Sequence, residues 1–528
     1  MNNKSKCLIF VVSLLCLLNT ASAYTPPKGI PAPPFGIDEP TYNSATHCPN
    51  WPSAANSKAG GQSYDCYYVD NSVSCTDSGN TYGYPNNPRC TLPEGSLTAG
   101  AYMDVRGGRT TPYTCGGDRC DWRGIGTATD YILISGAKAS QKPILSEWVH
   151  IGNGGSASYL IFENFEIQPT TGGLQIRPGW DGENFDHISI RNNVMHGSGN
   201  FKSYEHFLGG VDQSLYPNSS ASYLVFYNNE SYDAGQWNAP SEDDTCSFII
   251  SGKTSYMWVV DNVAYRSGGD GVAGSHGANR TSDHYYIGRN ILYQHRENCI
   301  DIKEVNDVII SENICYNQRP SSSSAGEGIV IHYGKNSVGP NRAWVIFNTI
   351  YNVEKGIQIN STKGDGYIIG NVIYDINHTT GTSQAILAYS MPKVYVVDNT
   401  IYDYDTGIKF DNVVAGQTFI AHGNILSNRA EATAYEIYVP TGTSYVDLDY
   451  NLVYYPSGSA AFGWWSSTQR NLTYIQGQGE CSHCNEGDPL FENVMSKNFT
   501  LKSSSPAINA NIKHNVYNTF YSLYGISI

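Results

Sequence analysis

The sequence predicts an all-β chain: a right-handed, single-stranded parallel β-helix of about 11 coils. Three observations predict it. First, a short apolar run, then Asn, two mostly apolar residues and usually Tyr, recurs at Asn164, Asn193, Asn229, Asn262, Asn290, Asn313, Asn348, Asn371, Asn399, Asn424 and Asn451. The spacings run from 23 to 36 residues, the period of a stacked array rather than a globular core. Second, most repeats carry a further strand opened by Gly or another small residue, such as CIDIK (299–303), GIVIH (328–332) and GIQIN (356–360). Third, no convincing 3.6-residue periodicity of any length interrupts these runs, so helical crossovers are not expected.

The elements follow in order. Residues 1–23 read as a secretory signal: Lys4 and Lys6, an apolar run from Cys7 to Leu18, then Ala21-Ser22-Ala23 before Tyr24. Residues 24–130, rich in Pro, Gly, Ser and Cys, are expected to form an arm and irregular cap. Disulfides are expected there among Cys48, Cys66, Cys75, Cys90, Cys115 and Cys120. The β-helix is expected over 131–455, and 456–528 as an irregular closing segment and surface tail. The pair Cys481 and Cys484 reads as a disulfide or plain loop in preference to a metal site. With eleven Cys outside the signal, at least one thiol is left over.

Within the coils, period two places Ile300 and Ile302, or Ile329 and Ile331, inside, and Asp301, Lys303, Val330 and His332 outside. The Asn column reads as a buried hydrogen-bonded ladder, and the Tyr column as a stacked aromatic stripe or a sugar platform.

Formal charge is −15, and −17 without Lys4 and Lys6, which argues against a nucleic-acid partner. No stretch beyond the signal reaches the ~20 apolar residues of a membrane span. A secreted, extracellular or periplasmic monomer is expected.

Four consecutive coils break the regularity. The residues before their second strands are Glu242-Asp243-Asp244-Thr245, then Asp270, then Glu297-Asn298, then Glu327. Carboxylates stacked this closely call for a cation, and hard oxygen ligands suit Ca²⁺. The bland reading is a solvated acidic face. Lys303 and His332, with His276 nearby, face outward on the same coils. That combination suits β-elimination of an acidic, uronate-containing polysaccharide. A cation stabilises the enolate-like intermediate, a Lys303 amine of lowered pKa takes the C5 proton, and His332 or Tyr333 protonates the leaving O4. Arg177, Lys253, Arg289, Arg296 and Lys335 are the candidate cations for substrate.

The array resembles the pectate-lyase-like right-handed β-helix superfamily. ENCIDIKEVNDVIISENICYN (297–317) with GIVIHYGKN (328–336) is similar to the alginate lyase and chondroitinase B group of polysaccharide lyases. The resemblance implies a base at Lys303, Ca²⁺ ligands among Asp270, Glu297, Asn298 and Asp301, and an acid at His332. Here the chain departs from that group, with His-Tyr-Gly in place of Arg-His-Gly. SGGDGVAG (267–274) with ENCID (297–301) is similar to the acidic Ca²⁺ turns of another pectate lyase family, which would move the base towards His332 or Lys335. GSHG (274–277), with Asp270 and Asp301, is similar to polygalacturonase-type glycosidases. An inverting glycoside hydrolase or a uronate C5-epimerase, and a non-catalytic surface β-helix, are therefore the alternative readings.

Overall fold

The computed structural model describes residues 23–528 apart from positions 44, 46, 49, 50, 52–62, 118, 138–140, 170–171, 198–205, 213, 239–242, 275–281, 323, 334–338, 361–363, 377–382, 412–415, 431–433, 440–444, 465–467 and 509–513. The signal up to Ser22, Glu242, His276 and Lys335 lie outside the described residues.

Strands of two to eight residues wind into a parallel β-helix with three sheets. The first sheet runs from Cys66–Asp70 through Thr254–Val260, Asp283–Gly288 and Asp307–Ser311 to Val446–Asp449. The second contains Leu174–Arg177, Phe207–Gly209, Phe248–Ile250, Val272–Gly274, Ile300–Lys303, Ile329–His332 and Lys355–Asn360, paired in that order. The third has 13 strands, from Ile144–Leu145 to Asn485–Glu486. Alternation delivers the expected interior, with Ile300, Ile302, Ile329 and Ile331 fully buried.

Parallel pairing begins well before Tyr131. Cys66–Asp70 pairs with Tyr102–Arg106, which pairs with Ile132–Gly136. These five-residue strands sit between long turns stapled by Cys48–Cys66, Cys75–Cys90 and Cys115–Cys120, so their pattern is diluted in the sequence. Cys481–Cys484 is a disulfide. A fifth disulfide, Cys299–Cys315, crosses the interior of the coil that carries Lys303. Cys246 is buried and in no disulfide.

Ten of the eleven Asn form the ladder. From Asn193 to Asn451, each backbone N–H donates to the Oδ1 of the next Asn at 2.9–3.1 Å. Each Nδ2 also donates to a backbone carbonyl of the preceding coil, as Asn313 does to Ile287. Asn164 is the exception. It adopts φ 66°, the left-handed turn position that Asn192, Asn228, Asp261 and Arg289 fill in later coils. Phe165 stands in the ladder position and donates to Asn193 Oδ1. The Tyr stripe stacks face to face from Tyr232 through Tyr265, Tyr293, Tyr316 and Tyr351 to Tyr374, with centroids 4.8–5.2 Å apart. Neighbouring rings occupy each other's faces, so the stripe presents edges to solvent and is no sugar platform.

The N-terminal arm from Tyr24 to Ile37 and the helix Val516–Tyr524 both lie on the outer face of the first sheet. Ile30 joins Trp258, Tyr286, Ile309 and Ile346 in an apolar layer that Val516 and Phe520, from the helix Val516–Tyr524, complete. The expected surface tail is thus a packed cover. Tyr24 donates to Asp261, the backbone N–H of Lys28 to Glu312, and Tyr524 to Asp307.

Candidate active site

A groove of about 690 Å³ lies on the outer face of the second sheet. Its floor is the outward residues of consecutive strands, and one wall is the acidic turn. It brings together Arg177, Asp244, Asp270, Glu297, Asn298, Asp301, Lys303 and His332 from the sequence-predicted set.

At its centre is Asp301, whose side chain is only 7% exposed. Its Oδ2 lies 2.6 Å from Lys303 Nζ, and its Oδ1 lies 3.0 Å from His332 Nε2. The sequence spacing produces this hub. Asp301 and Lys303 are two apart on one strand, and Lys303 pairs with His332 on the next. Burial alone would raise the Asp301 pKa, but His332 and Lys303 outweigh it and hold the carboxylate ionised. For Lys303, burial favours the neutral amine, but Asp301 and Asp270 outweigh burial and raise its pKa. The expectation of a lowered Lys303 pKa is not met, because an ionised carboxylate sits against its ammonium.

Asp270 behaves oppositely. Burial, then the charges of Asp301 and Glu297, push its carboxyl well up, despite a 2.9 Å hydrogen bond from the Asn298 N–H. Glu297 accepts from Ser321 at 3.2 Å. The Asn298 side-chain Oδ1 accepts from Ser324 Oγ at 2.7 Å, and Glu327 is paired with Lys355 at 2.9 Å. Among the described residues, the only three His, Cys, Asp or Glu ligand atoms converging within 4.8 Å belong to Cys115, Cys120 and Glu147, and the two cysteines are joined in a disulfide. The acidic wall therefore supplies oxygens that suit Ca²⁺ without closing a cage by itself.

Other predicted residues go elsewhere. Asp243 turns inward to cap its own turn, accepting from the N–H groups of Gln236 and Thr245. Lys253 donates to the Pro217 carbonyl at 2.7 Å, away from the groove. Arg289 pairs with Asp261 and donates to the Thr25 carbonyl at 2.9 Å, on the face covered by the N-terminal arm. Arg296 is buried in a turn beside Arg319, outside the groove lining. Tyr333 is 41% exposed at the rim, its ring centroid 6.4 Å from that of His332. Sequence reasoning missed the apolar part of the floor, Leu208, Ile249 and Ala273. Their signal was present in the strand alignment, as apolar residues at outward positions. Cys246 also lines the groove, and nothing in its sequence surroundings marks it.

No family model matches the chain. No curated protein matches it either. Among solved structures it is similar to the A-module of mannuronan C-5 epimerase AlgE6 from Azotobacter vinelandii, at 13% identity and TM-score 0.45, covering 75% of this chain and 91% of that one. It is similar to the AlgE4 A-module from the same organism, at 14% identity and TM-score 0.43, covering 73% and 91%. It is also similar to the catalytic domain of a GH87 α-1,3-glucanase in complex with nigerose, at 13% identity and TM-score 0.31, covering 87% and 70%.

Proposed function

We propose that this chain is an exported enzyme that cleaves an acidic, uronate-containing polysaccharide by β-elimination in the second-sheet groove. The observation that carries the reading is Asp301 bridging Lys303 and His332 on the groove floor. A uronate carboxylate laid on Lys303 meets a fixed ammonium. That charge stabilises the enolate-like state as the C5 proton leaves. With Lys303 held as a cation, His332 becomes the base. Asp301 touches its Nε2 and orients the ring, and Nδ1, on the opposite edge, takes the proton. The C4–O4 bond then breaks, the 4,5 double bond forms, and the Tyr333 phenol at the rim protonates the departing oxygen.

The acidic wall fits a Ca²⁺ ion in its donor chemistry. Asp270, Glu297 and Asn298, with Asp244 on the neighbouring coil, are the residues that would hold it, and a bound cation would supply further positive charge to the sugar carboxylate.

The test is a screen of alginate, pectate, and chondroitin and dermatan sulfates for ultraviolet-absorbing unsaturated uronates, with and without chelator. Lys303→Arg separates the two roles open to Lys303. An arginine preserves a carboxylate-binding cation but cannot act as a base. Activity in Lys303→Arg together with loss in His332→Ala supports the assignment, and full activity in His332→Ala removes it.

One observation favours hydrolysis as the second reading. Asp270 and Asp301 have their pKa values pushed in opposite directions, the pattern of an acid–base carboxyl pair. Reducing ends appearing without an unsaturated product would select it.

A further inference from the structure

The groove floor is a single in-register column. Gln175 pairs with Leu208, Leu208 with Ile249, Ile249 with Ala273, Ala273 with Asp301, Asp301 with Val330, and Val330 with Gln358. On the amino-terminal side of the reacting hub, three successive coils thus present Leu208, Ile249 and Ala273 as the outward residues of the same face. Leu215, 65% exposed, and Tyr216 stand beside them. Outward positions on a solvated sheet are ordinarily polar. Side chains here that are apolar and line a groove mark a contact surface. At ~4.8 Å per coil this apolar stretch is about 14 Å long. It is continuous with the hub, and Arg177 closes its far end.

We infer that this stretch receives neutral sugars with an apolar face, 6-deoxyhexoses or O-acylated residues, so that the substrate carries isolated uronates between such sugars rather than a contiguous polyuronate. The inference rests on the elimination reading for the identity of the uronate at the hub. The floor itself supports the neutral subsites. A carboxylate set over Leu208 or Ile249 would lose water with no partner, a cost a contiguous polyuronate meets at every coil. Without a bound cation the wall compounds this, because Asp244 and Glu297 face the same space and repel further anions. A methyl or acyl group instead covers the apolar floor and gains from leaving water.

The experiment compares binding and cleavage of two oligosaccharide sets of equal length by the full-length mature protein. One set alternates uronate with 6-deoxyhexose, and the other is contiguous oligogalacturonate or oligoalginate. Dissociation constants are read by calorimetry in chelator and in Ca²⁺. The alternating set is expected to bind at least ~10-fold more tightly in both conditions. Ile249→Lys is expected to erase that preference while leaving far-ultraviolet circular dichroism unchanged. Leu208→Lys, one coil further away, serves if Ile249→Lys fails to fold. Equal or tighter binding of the contiguous set in either condition, no binding of either set, or a preference untouched by the lysine variants overturns the inference. A preference without unsaturated product keeps this inference and sinks the elimination reading, so the two failures are distinct.

Discussion

Lys303 and His332 meet on one carboxylate, and their substitutions separate cleanly. Lys303→Ala is expected to lower kcat/KM by ~10²–10³, as for loss of one charge-stabilising group. His332→Ala is expected to lower kcat by ~10²–10⁴, the usual range for a general base. Initial rates of unsaturated-product formation check both. Away from the groove, His206 is fully buried, with Nδ1 2.8 Å from Ser231 Oγ, and burial lowers its pKa to about 3. Below about pH 6.5 the unfolded chain takes up a proton that the folded chain refuses. Stability therefore falls with acidification between pH 6.5 and about 3, by up to ~1.4 kcal/mol per pH unit from this residue. Chemical denaturation across that window should show His206→Gln with a flatter acid limb than wild type. At this scale the sequence could place Asp301, Lys303 and His332 outward on adjacent strands, because period two is local. It could not show the bridge, which depends on where three flexible side chains settle. Lys253 and Arg289 were misplaced because they flank strands of the first sheet, whose outer face is not the groove.

The ladder is the element that sets the coils in register, and its positions are not equivalent to the Asn beside them. Asn313→Ala removes the acceptor for the Asn290 N–H and the donor to the Ile287 carbonyl, both buried. Each group left without a partner costs about 1–3 kcal/mol. Asn164→Ala, at a left-handed turn outside the ladder, is expected to cost no more than ~1 kcal/mol. Urea denaturation midpoints of the two variants, measured side by side, test the distinction. Ladder and turn positions are adjacent in sequence, so IFENFEI (161–167) looked like a normal repeat when it is shifted by one residue. The coils from Tyr131 onward were largely legible because their strands recur at short intervals. The earlier ones at Cys66, Tyr102 and Arg119 were not, because disulfides rather than short turns control the chain between them. Cys299–Cys315 was missed for a related reason. Neither cysteine stands in a Cys-rich stretch, and only the winding of the coil brings them face to face.

Across the whole molecule, the N-terminal arm and the C-terminal helix share one apolar layer on the first sheet. Phe520 is fully buried, with its ring 4.8 Å from Trp344. Phe520→Ala is expected to cost ~3–5 kcal/mol. It should red-shift Trp emission before the main unfolding transition, which fluorescence during thermal denaturation will resolve; coincident transitions would show that the helix is not a separately opening unit. The ends also touch, since a Cβ on Gly29 would come within 3.0 Å of an Ile528 methyl. The strands beneath this cover, Thr254–Val260, Asp283–Gly288 and Asp307–Ser311, belong to the turns of the solenoid that carry Asp270, Asp301 and Lys303 on another side. Pull on the arm and on the helix and the force does not peel turns off one at a time from either extremity. It is delivered first to the middle, as shear along the seam where arm meets helix, and the coils carrying Asp301 and Lys303 are thereby the best-braced length of a rod that would otherwise fray.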